Sequence, residues 1–106
     1  MDSEIKATRL ADLVNYQKES VVSKTLIEKK AGTVTLFAFD EGEGLSEHTA
    51  PFDAVVYILD GHAEITIGGK AQTVMAGKML IMQANVPHSL HATVQFKMLL
   101  IMIRGE

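Results

Sequence analysis

The sequence predicts an all-β fold, a sandwich or barrel of short strands, and three observations carry that prediction. Short runs rich in Val, Ile, Thr and Phe recur along the whole chain, and these residues suit a pleated, half-buried surface. Turn-forming dipeptides separate the runs: Asp60-Gly61 and Gly68-Gly69 tolerate the positive φ of two-residue hairpin loops, and Ala31-Gly32 and Ala76-Gly77 mark further reversals. The chain has 106 residues, 47% of them hydrophobic, which suits one domain around one core.

The elements follow in order. Ala7 to Tyr16 carries Leu10, Leu13 and Val14 at helix-like spacing, with Thr8 as the candidate N-cap. A short helix, an irregular segment or an additional strand satisfies that pattern. Residues 1–19 are expected to pack outside the barrel or to extend a sheet. Strands are expected at Ser20–Glu28, Thr33–Asp40, Ser46–Thr49 and Asp53–Leu59. Five more are expected at Ala63–Ile67, Ala71–Met75, Met79–Met82, Ser89–Thr93 and Phe96–Ile103.

Two of these strands are apolar on both faces. In Ala54–Leu59, Ala54, Val56 and Ile58 alternate with Val55, Tyr57 and Leu59; in Met98–Ile103, Met98, Leu100 and Met102 alternate with Leu99, Ile101 and Ile103. A strand with one wet face alternates apolar with polar. These strands are therefore expected to be covered twice, the second cover being either a partner subunit in a homodimer or the N-terminal segment.

Composition excludes several classes. There is no cysteine, so disulfides and thiolate metal sites are ruled out. The net charge is -3 with mixed signs and no basic stripe, which argues against a nucleic-acid partner. The N-terminal residues lack the apolar run of a signal peptide, and the apolar stretch Met98–Ile103 is far too short to span a bilayer. A cytoplasmic protein without membrane partners is the expectation. No Gly-rich phosphate loop or G-X-S-X-G elbow is present. Ser46 lies near His48 but has no evident base or oxyanion hole. Asp40, Glu41 and Glu43 read as a solvated acidic loop rather than an acid/base pair.

Two histidines stand in glycine-punctuated frames. Gly42 is followed after five residues by His48, then Thr49, Ala50, three residues, Ala54, six residues and Gly61. Gly77 is followed after five residues by Gln83, Ala84, Asn85, Val86, Pro87 and His88. These stretches, spanning about residues 42–92, resemble the two signature motifs of the cupin family. The resemblance implies a single-domain jelly-roll β-barrel over residues 1–106. It also implies a pocket at the barrel mouth where three histidines and a glutamate hold a divalent metal. His48 matches the first ligand and His88 the third. Ala50 stands in place of the second histidine and Ala54 in place of the glutamate. Gln83, Asn85 and Ala92 replace the usual proline, glycine and asparagine of the second motif.

Two imidazoles leave most of a metal's coordination shell to water. Asp53 neighbours the glutamate slot but is one residue out of phase. His91 and Glu47 are expected to point away from the barrel, His62 to sit at its end in water, and Gln83 to offer an amide oxygen. The expected pocket is thus His48, Ala50, Ala54, Gln83 and His88. His48 and His88 are its only metal candidates, holding Zn, Ni, Fe or Mn weakly or not at all. Five of the six methionines lie between Met75 and Met102, and Met79, Met82, Met98 and Met102 can crowd one region. They are ordinary core or the lining of a pocket for a small apolar molecule. Three functions remain open. The first is a small-molecule-binding protein. The second is a metal-dependent oxygenase or isomerase acting on a small organic metabolite. The third is a non-catalytic dimerising or regulatory module.

Overall fold

Residues 6–104 are described by a computed structural model. Nine strands form: β1 (Val21–Lys29), β2 (Gly32–Phe39), β3 (Gly44–His48), β4 (Asp53–Asp60), β5 (His62–Ile67), β6 (Lys70–Met75), β7 (Met79–Met82), β8 (His88–His91) and β9 (Phe96–Ile103). Each corresponds to an expected strand, and only the end residues differ, as strand ends commonly do. The five-stranded sheet has the order β1-β2-β9-β4-β7 and the four-stranded sheet the order β3-β8-β5-β6. Every ladder is antiparallel. From β2 onward every connection except the β5–β6 hairpin crosses between the two sheets, which makes the fold a jelly roll.

The turns obey their glycines. Gly68 and Gly69 take φ values of 57° and 82° in the β5–β6 hairpin, as a two-residue loop matched to strand twist requires. Gly61 takes φ 71°, and a Cβ there would run into the carbonyl oxygen of Gln95. The β4–β5 turn is therefore closed to any other residue on two separate grounds.

The core lies between the sheets. Phe39 stacks on Phe96 with centroids 4.4 Å apart, and Val56, Ile58, Ile65 and Met98 fill the space around them. All are inward-facing members of alternating strands.

The N-terminal segment departs from its expected form. Only a 3₁₀ turn forms, at Leu10–Leu13, and Thr8 does not cap it, because its hydroxyl bonds the Lys6 carbonyl. Tertiary packing outweighs the helical pattern here. Leu10, Leu13, Val14 and Tyr16 lie on the outer face of the large sheet against Leu36, Ala38, Leu59 and Leu99. Two polar contacts pin the segment. The Tyr16 hydroxyl donates to Asp60 at 2.5 Å, and the Lys97 ammonium donates to the Ala11 carbonyl and sits 5.0 Å from the Tyr16 ring centre.

That cover is partial. It reaches Leu59 on β4 and Leu99 on β9 but leaves Val55, Tyr57, Ile101 and Ile103 uncovered. The two-faced strands are thus covered by the N-terminal segment at one end only. Across the uncovered end, Ile27, Val34, Ile101, Val55 and Ile81 pair in a single row over all five strands.

Candidate functional site

The site lies between the sheets, where β3 and β8 face β9 and β4. His48 reaches it through a defect. Leu45 pairs with Leu90 and His48 with His88, and the β3–β8 register breaks between them. Residues 45 and 48 lie on opposite faces of a regular strand, so the irregularity resets the phase and turns both inward. His88 needs no such device. It begins β8, pairs with Ile67 on the other side, and is buried.

The two rings meet edge to face with centroids 4.3 Å apart, and their Nε2 atoms lie 3.1 Å from each other. The opposite nitrogens face backbone carbonyls: His48 Nδ1 donates to Ser46 at 2.8 Å and His88 Nδ1 to Val86 at 3.1 Å. A carbonyl only accepts, so both Nδ1 atoms carry the proton. In neutral rings both Nε2 atoms then present lone pairs, aimed at one another. Such a pair is satisfied by a proton, a ligand's donor or a cation placed at the two nitrogens.

Around the histidines the cavity is apolar. It has a volume of about 60 Å³. Ala54, Phe52 and Ala50 line it from β4 and the preceding loop, Met82 from β7, and Leu45 and Leu90 from beside the histidines. Met98, Leu100 and Met102 contribute one continuous inward row of β9. A water needs about 10–15 Å³ on this measure, so the space takes roughly four to six heavy atoms.

The expected residues divide cleanly. His48, Ala50, Ala54 and His88 come together in this cavity, as do Met82, Met98 and Met102. Gln83 does not. It is exposed in the turn after β7 and is no part of the lining. Met79 is exposed on the outer face beside Tyr57. Asp53 accepts a hydrogen bond from the Ala84 backbone N–H at 2.8 Å. Asn85 takes φ 66° and donates its N–H to the Ala50 carbonyl. Asparagine is among the few residues besides glycine that tolerate this conformation, so the second motif keeps its turn without its glycine. Asp53 and Asn85 thus tie the loop before β4 to the loop before β8. His91 is exposed and pairs across from Glu64, which in turn accepts from the Thr73 hydroxyl. His62 starts β5 with its ring half-buried. Ser46 contributes its carbonyl, as the acceptor for His48. Asp40 is pulled below the usual carboxylate range first by the Glu19 backbone N–H and then by the Gln95 amide. It anchors the β1 entry and makes no acid/base pair.

Phe52, Leu45, Leu90 and Leu100 were not among the expected pocket residues. Phe52 was discoverable, since it precedes Ala54 by two residues and shares its face. The inward turn of β3 had no signal, because a bulge leaves none in a sequence this short.

Metal chemistry can be tested against these residues. Imidazoles whose Nδ1–H is held by a carbonyl are presented as metal ligands usually are. The set nonetheless stops at two nitrogens, and the methyl groups of Ala50 and Ala54 occupy the remaining ligand positions. No group of three or more His, Asp or Glu side chains among the described residues can hold an ion. The residues present do not fit a firmly held metal centre.

Comparison with known proteins agrees with this architecture. The family model described as "Cupin domain" matches residues 35–104. A conserved protein of unknown function from Streptococcus pyogenes superimposes with a TM-score of 0.93 at 34% identity, covering 99% of this chain and 92% of that one. A cupin 2 conserved barrel domain protein from Leptotrichia buccalis is 40% identical over 89% of this chain, with a TM-score of 0.86, and the match spans 46% of that chain. A cupin superfamily protein from Desulfitobacterium hafniense gives 0.90 at 28% identity, over 94% and 92% of the two chains. No curated protein matches. The topology, the family model and these relatives together place the chain in the cupin family.

Proposed function

We propose that this cupin binds a small, largely apolar molecule in the barrel pocket, with the facing Nε2 atoms of His48 and His88 as its polar contact. The observation that carries the reading is the pairing of an apolar, methionine-lined cavity with one convergent polar group. Pockets that bind small molecules have this balance of apolar lining and few placed polar atoms. A proton shared between the two nitrogens, or a hydrogen-bond donor on the ligand, would satisfy the opposed lone pairs. A divalent ion, whether Zn, Ni, Fe or Mn, would be held only weakly by two imidazoles. We take residues 1–106 as one barrel domain, with the N-terminal segment as its outer strap.

The test is metal analysis after dialysis, paired with thermal-shift screening of small apolar probes, on wild type, His48→Ala and His88→Ala. The reading predicts less than stoichiometric metal in all three proteins and probe binding that weakens in both variants. Stoichiometric metal that survives dialysis in wild type and vanishes in both variants would overturn the reading of a pocket without a firmly held metal.

The uncovered outer face supports a homodimer. Ile27, Ile81 and Ile103 are 50%, 56% and 54% exposed. With Met79, Tyr57 and roughly 200 Å² for a large side chain, the exposed apolar area is on the order of 500 Å². The half-buried Val34, Val55 and Ile101 enlarge it toward the roughly 800 Å² a stable partner surface needs. The adjoining row runs from Lys29 through Gly32 and Ile103 to Asp53. A two-fold axis along β9 would carry the basic end of one copy toward the acidic end of the other. That is the self-complementarity an isologous interface requires.

A further inference from the structure

We propose that the pocket selects small branched or short-chain organic acids, and that Arg104 is the residue that reads their carboxylate. The proposal rests on the pocket reading above and adds the chemical class of the ligand.

Arg104 follows the end of β9, exposed and just outside the cavity lining. Met98, Leu100 and Met102 line the cavity, and residue 104 is the next position of the same parity, just past the strand end. Its backbone N–H donates to the Ala31 carbonyl at 2.6 Å, which holds the main chain at the sheet margin. Its guanidinium lies 5.8 Å from the ring centre of Phe52, and Phe52 lines the cavity. A permanent positive charge therefore stands beside the pocket's aromatic wall.

Among the described residues the guanidinium makes no hydrogen bond and no ion pair, and it lies over the Phe52 ring. An exposed contact of this kind is worth only about 0.5–1 kcal/mol, so an incoming anion displaces it at little cost. Arginine's planar fork of donors matches a carboxylate with two parallel hydrogen bonds. Size sets the rest of the ligand. The cavity admits about four to six heavy atoms, and its walls are aliphatic and thioether groups. A three- or four-carbon body fits there, with its carboxylate left at the Arg104 end.

The experiment compares isobutyrate with isobutyramide, which share a body and differ in charge. Binding is measured by calorimetry at matched ionic strength, on wild type, Arg104→Gln and Arg104→Lys. For wild type the expected result is isobutyrate about tenfold tighter than isobutyramide, with the difference shrinking as salt is raised. Arg104→Gln should abolish the difference while leaving amide affinity unchanged, and Arg104→Lys should restore part of it. The amide binding wild type as tightly as the acid would overturn the proposal and leave the pocket reading standing. Arg104→Gln weakening both ligands equally would also overturn it, since that is the mark of a structural role. Neither compound binding would overturn both.

Discussion

Met98 tests whether the cavity is a fixed part of the barrel. It is 1% exposed, pairs across β9 with Phe37 and Ile58, and forms part of the pocket wall. Truncation in Met98→Ala removes three heavy atoms of buried apolar side chain. The transfer loss is about 2 kcal/mol. The new void merges with the existing cavity of about 60 Å³, and its walls are strands locked in a ladder that cannot collapse into it. At about 24 cal/mol per Å³, a further roughly 60 Å³ of void adds about 1.5 kcal/mol. The expected cost is therefore about 3–4 kcal/mol. For a domain of this size that is a fall of roughly 15–25 °C in Tm. Urea unfolding followed by circular dichroism should show the midpoint drop with m unchanged. Met75→Ala is the control, because Met75 is 48% exposed and its loss should stay within about 0.5 kcal/mol. A Met98→Ala cost below about 1 kcal/mol, or one equalled by Met75→Ala, would refute the claim that this wall is rigid.

Other consequences follow from the same geometry. Ile101→Lys places a charge at the centre of the uncovered row and should convert a dimer to a monomer by light scattering; a wild type that is already monomeric refutes the interface. Gly61→Ala should cost at least about 2 kcal/mol by thermal unfolding, from both its positive φ and the Gln95 carbonyl. Burial, and then the bond to Asp60 and its charge, push the Tyr16 phenol well above its ordinary range. The folded state therefore favours the neutral phenol. Its stabilising contribution is complete below about pH 10, where the unfolded tyrosine is also neutral, and is lost as pH rises from there toward the folded value. Tyr16→Phe should flatten that alkaline loss in pH-dependent denaturation, and an unchanged alkaline limb would count against the latch. The lowered Asp40 acts in the opposite sense. Its contribution holds above the ordinary aspartate range and declines as pH falls below about 4, so Asp40→Asn should shrink the acid-limb loss of stability.

The strands and turns were legible because their signals are local. Asp60-Gly61 and Gly68-Gly69 state their hairpins in two residues, and the alternation of Ala63, Ile65 and Ile67 with polar residues in β5 states a buried face. The doubly apolar β4 and β9 raised the expectation of a second cover, but their sequence is blind to which element provides it. The structure divides that task between Leu10, Leu13 and Tyr16 at one end and an open face at the other. The site was half legible. Motif spacing located His48, His88, Ala50 and Ala54. Gln83, expected on an adjoining strand, instead follows the end of β7 and is exposed. The twelve residues between Phe39 and Phe52 are the hardest stretch, because the register break within β3 decides which side chains enter the barrel. Arg104 was invisible for a related reason: an arginine beyond a strand end has meaning only once the strand's inward row is known.

The central claim is that the apolar cavity beside His48 and His88 takes a small molecule. The methionines provide built-in reporters. Met82, Met98 and Met102 line the cavity, whereas Met75 and Met79 are exposed outside it. Methyl NMR of protein labelled at the methionine methyl groups, titrated with isobutyrate, tests the claim most directly. The account predicts saturable shifts at Met82, Met98 and Met102, silence at Met75 and Met79, and loss of the response when the cavity is filled by Ala54→Leu. Silence at all three pocket methyls, or shifts confined to Met75 and Met79, would contradict it.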